Sequence, residues 1–143
     1  MDQRRRHVTA TDDSPPVAYL DSSALVKLVV VEAESAALRR ELAKWPRRTS
    51  SRLARIELTR AADRLGATAP ALAVRVLADL DLLAIDPIVS DASRIGSALL
   101  RALDAIHLAT AASIAVEIGA LITYDHRMVA EGKALGLPVL TPT

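Results

Sequence analysis

The 143-residue chain has no cysteine. This excludes disulfides, thiolate zinc sites and cysteine nucleophiles, and it is compatible with a reducing compartment. Any metal must therefore be held by oxygen or imidazole. Aromatic residues are nearly as scarce, with one Trp, two Tyr and no Phe. The stacked platforms on which many proteins hold single-stranded nucleic acid cannot be built from so few rings, so a nucleic acid bound here is expected to be gripped through its phosphates. A large excess of one charge is also missing: the formal net charge is +1, and any basic face must be local. The longest apolar run, residues 108–122, is broken by Glu117 and falls short of the roughly 20 residues a membrane-spanning helix needs. The first residues carry Arg with no apolar stretch behind them, so no secretory leader is expected and the cytoplasm is the expected location.

With 51% hydrophobic and 24% charged residues, the chain has enough apolar material for one compact core. Residues 1–16 mix Arg, Asp, Ser, Thr and a Pro pair, a composition expected to form a flexible tail, and the folded unit is expected over 17–143. The run VAYL reads as a strand ending at Asp21, with a helix starting at once, capped by Ser22 or Ser23. ESAALRRELAKW reads as a helix stopping before Pro46. SSRLARIELTRAADRLG reads as a helix capped by Ser50 or Ser51 and ended by Gly66. APALAVRVLADLD gives another helix, LLAI a short strand, SDASRIGSALL and LRALDAIHLATAASIAVEIG two more helices, ALITYD a strand, HRMVAEGKALG a helix and LPVLTP a last strand.

Short apolar strands alternating with helices predict an α/β fold, a three-layer α/β/α sandwich around a central, mostly parallel sheet. In such sheets ligands bind beyond the carboxyl ends of the strands, where Asp21 and Asp125 both fall.

Two more acids stand where apolar residues are expected. At about 100° per residue, Glu57 lies in the arc of Leu53, Ile56, Ala61 and Leu65; the local alternative is a pair with Arg60 one turn on. Asp104 is flanked by Leu103, Ala105, Ile106, Leu108 and Ala109, and helix capping is its local alternative. Asp125 and Asp21 have the same alternative as caps. Taken together, the four acids imply more than any one of them does. Carboxylates gathered at one place push each other's pKa upward unless a cation is present. Oxygen ligands without Cys suit a hard ion, Mg²⁺ or Mn²⁺, and that chemistry suits phosphodiester hydrolysis.

The segments VAYLDSSALVKL, ARIELTRA, LRALDAIHLATA and LITYDHRM together resemble, in order, the PIN-domain ribonucleases and within them the VapC-type toxins of type II toxin–antitoxin pairs. The resemblance spans nearly all of 17–143, and LRALDAIHLATA is its most specific part. It implies that Asp21, Glu57, Asp104 and Asp125 are the acidic quartet that holds Mg²⁺ or Mn²⁺ for endonucleolytic RNA cleavage. Asp21 and Asp104 would be direct ligands, Glu57 a ligand or water-orienting base, and Asp125 a direct or water-mediated ligand. It also implies a homodimer and a cognate antitoxin protein lying over the groove. The long segment before Val17 departs from the family, whose members start close to their first strand.

Ser22 and Ser23 are candidate supports for a ligand carboxylate, though capping explains them as well. Thr123 is a candidate support beside Asp125, and His107, one turn after Asp104, reads as a hydrogen-bonding core residue. Arg39, Arg40, Lys44, Arg47, Arg48, Arg52 and Arg55 form the densest basic region, either a solvated face or a guide for RNA. Lys27 either snorkels to solvent or approaches the groove. An aspartyl-phosphate phosphatase would carry a second acid two residues after Asp21, where Ser23 stands. A receiver domain lacks its late-strand lysine here, and no helix-turn-helix pair is evident. A catalytically silent PIN scaffold acting as a binding partner, and a DNA-directed nuclease of the same fold, remain as alternatives.

Overall fold

The computed structural model describes residues 14–143. Most of the expected tail, residues 1–13, lies outside the described residues. Just before the first strand the Pro15 carbonyl accepts a hydrogen bond from Arg47 Nη1 at 2.7 Å.

Strand β1 (Val17–Leu20) is buried along its whole length, as an apolar strand at the centre of a parallel sheet must be. It is followed by helices α1 (Ser22–Val26) and α2 (Ser35–Leu42), strand β2 (Arg47–Ser51), helices α3 (Leu53–Ala62) and α4 (Ala69–Ala78), and strand β3 (Asp81–Leu83). A single 3₁₀ turn (Asp86–Ile88) leads into α5 (Val89–Ala92), then α6 (Ala102–Ser113), strand β4 (Ile118–Ile122), α7 (His126–Ala134) and β5 (Val139–Leu140). The sheet order is β3-β2-β1-β4-β5, and every pairing is parallel.

Alternation along β1 distributes its side chains between two cores. Ala18 and Leu20 pack with Leu25, Leu38, Leu58, Leu77 and Ile122 under α1–α4, whereas Tyr19 packs with Leu108, Leu121 and Met128 under α6 and α7. The result is the expected three-layer sandwich. The chain winds from β1 to one side through β2 and β3, then returns to the other side through β4 and β5. The switch point therefore falls between β1 and β4, and a ligand crevice is expected at their carboxyl ends.

Three segments depart from the sequence reading. Strand β2 was not expected: RRTSS has no apolar pattern, and Ser50 or Ser51 was expected to cap the helix that follows. Its hydroxyls are nevertheless buried and bonded: Ser50 Oγ donates to the Leu20 carbonyl at 2.6 Å, Thr49 Oγ1 donates to the Asp81 carbonyl, and Ser51 Oγ accepts from Leu53 N–H at 3.1 Å. Ser51 thus serves the first turn of α3 from within the preceding strand. The helix expected over SDASRIGSALL is only α5, because Gly96 turns the chain at φ +74° and Glu131 Oε2 accepts from Ser97 N–H at 3.2 Å. The long helix expected through Gly119 stops at Ser113, and Ile118 and Gly119 open β4. A Cβ on Gly119 would stand 2.6 Å from the Trp45 ring, so the start of β4 requires glycine. Among the described residues no helix is long and apolar enough to cross a membrane.

Candidate active site at the carboxyl rim of the sheet

Asp21 follows β1 and is 3% exposed. It caps α1, displacing Ser22 and Ser23 from the role the sequence suggested: Oδ1 accepts from Ala24 N–H at 3.1 Å and from Ser23 Oγ at 2.6 Å. Oδ2 accepts from Thr123 Oγ1 at 2.6 Å, across the β1–β4 register. Ser23 Oγ in turn accepts from Tyr124 N–H at 2.9 Å, and Thr123 Oγ1 accepts from Asp125 N–H at 3.1 Å. Both hydroxyls therefore join the β1–α1 corner to the β4–α7 corner. Ser22 makes no such bond. Burial pushes the Asp21 carboxyl above the usual carboxylate range, and the bonds from Ser23 and Thr123 partly offset that.

Asp125 caps α7, with Oδ1 accepting from Arg127 N–H at 2.8 Å and Met128 N–H at 3.1 Å. Asp104 is not a cap: Arg101 holds that position in α6, and Asp104 sits in the first turn. Its half-buried carboxylate accepts no hydrogen bond among the described residues. Burial raises its pKa, and the negative charges of Asp125 and then Asp21 raise it further. Asp104, Asp125 and Asp21 are therefore electrostatic neighbours. Glu57, on the second turn of α3, makes no pair with Arg60. Its Oε1 instead meets His107 Nε2 at 2.7 Å, and His107 Nδ1 meets Tyr19 Oη at 2.7 Å. Ile56, expected on the buried arc beside Glu57, is exposed.

No Lys or Arg forms an ion pair with Asp21, Asp104 or Asp125 among the described residues. Nor do three His, Asp or Glu side chains there already close on one point as a metal cage. The donor set nonetheless fits a hard divalent ion: it is all oxygen, the charges of Asp125 and Asp21 raise Asp104, and no Lys or Arg among the described residues is in ion-pair contact with the three aspartates. Two grooves of about 270 and 300 Å³ contain none of the four acids.

The basic region divides in two. Arg47 and Arg48, at the opposite end of β2 from the carboxylates, are structural: Arg48 donates to the Trp45 and Leu42 carbonyls, and Arg47 pairs with Glu117 at 3.3 Å. Arg52 and Arg55 are exposed and follow the carboxyl end of β2, on the side of Asp21. Lys27 does not enter the crevice freely; it pairs with Glu34 at 2.8 Å and Glu32 at 3.3 Å and lies 4.7 Å from the Tyr124 ring centre.

The sequence matches the PIN domain family over residues 18–132. It is 51% identical over 128 residues to Ribonuclease VapC46 of Mycobacterium tuberculosis strain H37Rv, covering 87% of this chain and 97% of that protein. It is 40% identical to Ribonuclease VapC47 of the same species over 130 residues, or 87% and 96% of the two chains. Among solved structures, a toxin–antitoxin complex from Klebsiella pneumoniae matches with a TM-score of 0.64 and 25% identity, covering 88% of this chain and 98% of that one. M. tuberculosis VapC20, described as a sarcin–ricin loop cleaving toxin, matches at 0.62 and 16% identity over 80% and 95% of the chains, a likeness of fold. The chain belongs to the PIN domain family, among its VapC-type members.

Proposed function

We propose that this protein is a divalent-metal-dependent endoribonuclease and the toxin of a toxin–antitoxin pair, using Asp21, Glu57, Asp104 and Asp125 at one site. The observation that carries the reading is the convergence of Asp21, Asp104 and Asp125 at the β1–β4 switch point, where their charges raise Asp104 with no basic side chain in ion-pair contact. The ribonuclease names of the relatives supply the substrate class, and the Klebsiella complex supplies the kind of partner.

Asp21, Asp104 and Asp125 would hold Mg²⁺ or Mn²⁺, and Glu57 would act as a further ligand or as the group that orients water. Such an ion polarises phosphoryl oxygens and makes water more acidic. The chain's own contribution is positioning. Ser23, Thr123 and the Ala24 amide hold both oxygens of Asp21, so this carboxylate meets its ligand without first losing side-chain freedom. Glu57 has Oε1 bound to His107, while Oε2 accepts no bond among the described residues and is free to take a hydrogen from an attacking water. Arg52 and Arg55 supply phosphate contacts beside the rim.

The test is incubation of the purified protein with total RNA in Mn²⁺, Mg²⁺ or chelator, followed by mapping of new ends. Discrete new ends that need the ion support the reading; uncut RNA under all three conditions overturns it. Toxicity is tested separately, by producing the chain in a bacterial host with and without the protein encoded beside it.

A further inference from the structure

The site just described does not account for one buried arrangement. His107 is 1% exposed, on the second turn of α6, three residues after Asp104, and it spans two other elements. Its Nδ1 meets the hydroxyl of Tyr19, a β1 residue with no exposure, and its Nε2 meets Glu57 of α3. The tautomer follows from the partners. A carboxylate only accepts, so Nε2 carries the hydrogen toward Glu57; Nδ1 then accepts from the phenol. Burial raises the Tyr19 hydroxyl far above its usual value, so it remains a donor.

We propose that His107 is a positioning residue for Glu57: the Tyr19–His107–Glu57 chain ties up Oε1 and presents Oε2 alone to the rim. Glu57 then acts through one oxygen, as a holder of water rather than as a two-oxygen ligand. The arrangement couples the core to the site. Tyr19 anchors the imidazole from the centre of the sheet, and α6 carries both that imidazole and Asp104, so the spacing between Asp104 and Glu57 is set by one rigid ring. Outer partners of this kind typically change activity or metal affinity by about 10–100-fold when removed. The inference rests on Glu57 belonging to the proposed site, but the hydrogen-bond chain is testable without it.

Two measurements decide it. The chain has only His7, His107 and His126, so long-range proton–nitrogen spectra of labelled, metal-free protein assign each ring. His107 is expected to carry its hydrogen on Nε2; a hydrogen on Nδ1 instead overturns the chain, whether or not the protein cuts RNA. The second measurement is kinetic, on a short fluorogenic oligoribonucleotide with Mn²⁺. His107→Leu is expected to lower kcat about 10–100-fold with little change in KM, and His107→Gln, which returns an N–H near the Nε2 position, is expected to recover most of that loss. In a Glu57→Gln background His107→Leu should add almost nothing, because its route of action is already gone. A loss of the same size in that background, or a Gln variant no better than Leu, overturns the positioning role. If His107→Leu does not fold, Tyr19→Phe takes its place in the same cycle under the same criteria. If the wild type cuts no RNA, the proposed function fails while the tautomer still judges the hydrogen-bond chain.

Discussion

Thr123 Oγ1 donates to Asp21 Oδ2 at 2.6 Å and accepts from the Asp125 amide at 3.1 Å, so one hydroxyl serves residues 104 positions apart at the ends of β1 and β4. Thr123→Val keeps the shape of the side chain and removes both bonds. It leaves a buried carboxylate oxygen and an amide without partners, and is expected to cost about 2–4 kcal/mol. Urea unfolding measures this, and a loss below about 0.5 kcal/mol would show that the bracket contributes little.

Asp21→Asn and Asp104→Asn are expected to lower cleavage by at least about a hundredfold with the circular dichroism spectrum unchanged. Asn is the chosen replacement because Asp21 also caps α1, and truncation to Ala would mix folding with chemistry. Near-normal turnover by either variant would remove these residues from the site.

The raised carboxyls set the sign of the pH dependence. A group whose folded pKa lies above its unfolded value contributes stability below the unfolded value and loses it as pH rises through the folded one. Asp104 is raised by burial, Asp125 and Asp21, so in chelator the wild type should lose stability relative to Asp104→Asn as pH rises from about 4 to 7. Thermal melts across that range give the comparison; a gap that narrows with pH contradicts the electrostatic picture.

Mg²⁺ or Mn²⁺ is expected to raise the melting temperature of the wild type more than that of the Asp21→Asn, Asp104→Asn double variant. At 100 times the dissociation constant, binding to the folded form alone stabilises by about 2.7 kcal/mol. Equal shifts in both proteins would mean that the ion does not act at these carboxylates.

The two parts of the basic region should respond differently. Arg52→Ala and Arg55→Ala should leave the melting temperature unchanged and weaken RNA binding, each lowering the salt slope by about one contact. Arg48→Ala should destabilise the fold, because it frees the Trp45 and Leu42 carbonyls that Arg48 bonds. Binding titrations at several salt concentrations beside thermal melts separate the cases.

The apolar strands and the principal helices were legible because their side chains enter the two cores; VAYL and LITYD declare themselves by burial and by the acid that follows. Strand β2 was hidden because its stability comes from hydroxyl and guanidinium bonds to carbonyls distant in sequence, such as Ser50 to Leu20, and no periodicity records those. The end of α6 was misplaced because Ile114–Ile122 is apolar but for Glu117, and such a run reads equally as helix or strand. All four acids were visible as anomalies or strand ends. The partner of Glu57 was not: Arg60 was the local choice, and only the packing of α3 against α6 brings His107 to it.

Gly119 and Trp45 meet at the amino end of the sheet, and Trp45 is the only tryptophan. Intrinsic fluorescence is therefore a single-site reporter placed across the sheet from the carboxylates, with Glu41 bonded to the indole N–H at 2.8 Å. An emission change on adding an ion or RNA would then report a shift transmitted through β1 and β4, rather than contact with the indole.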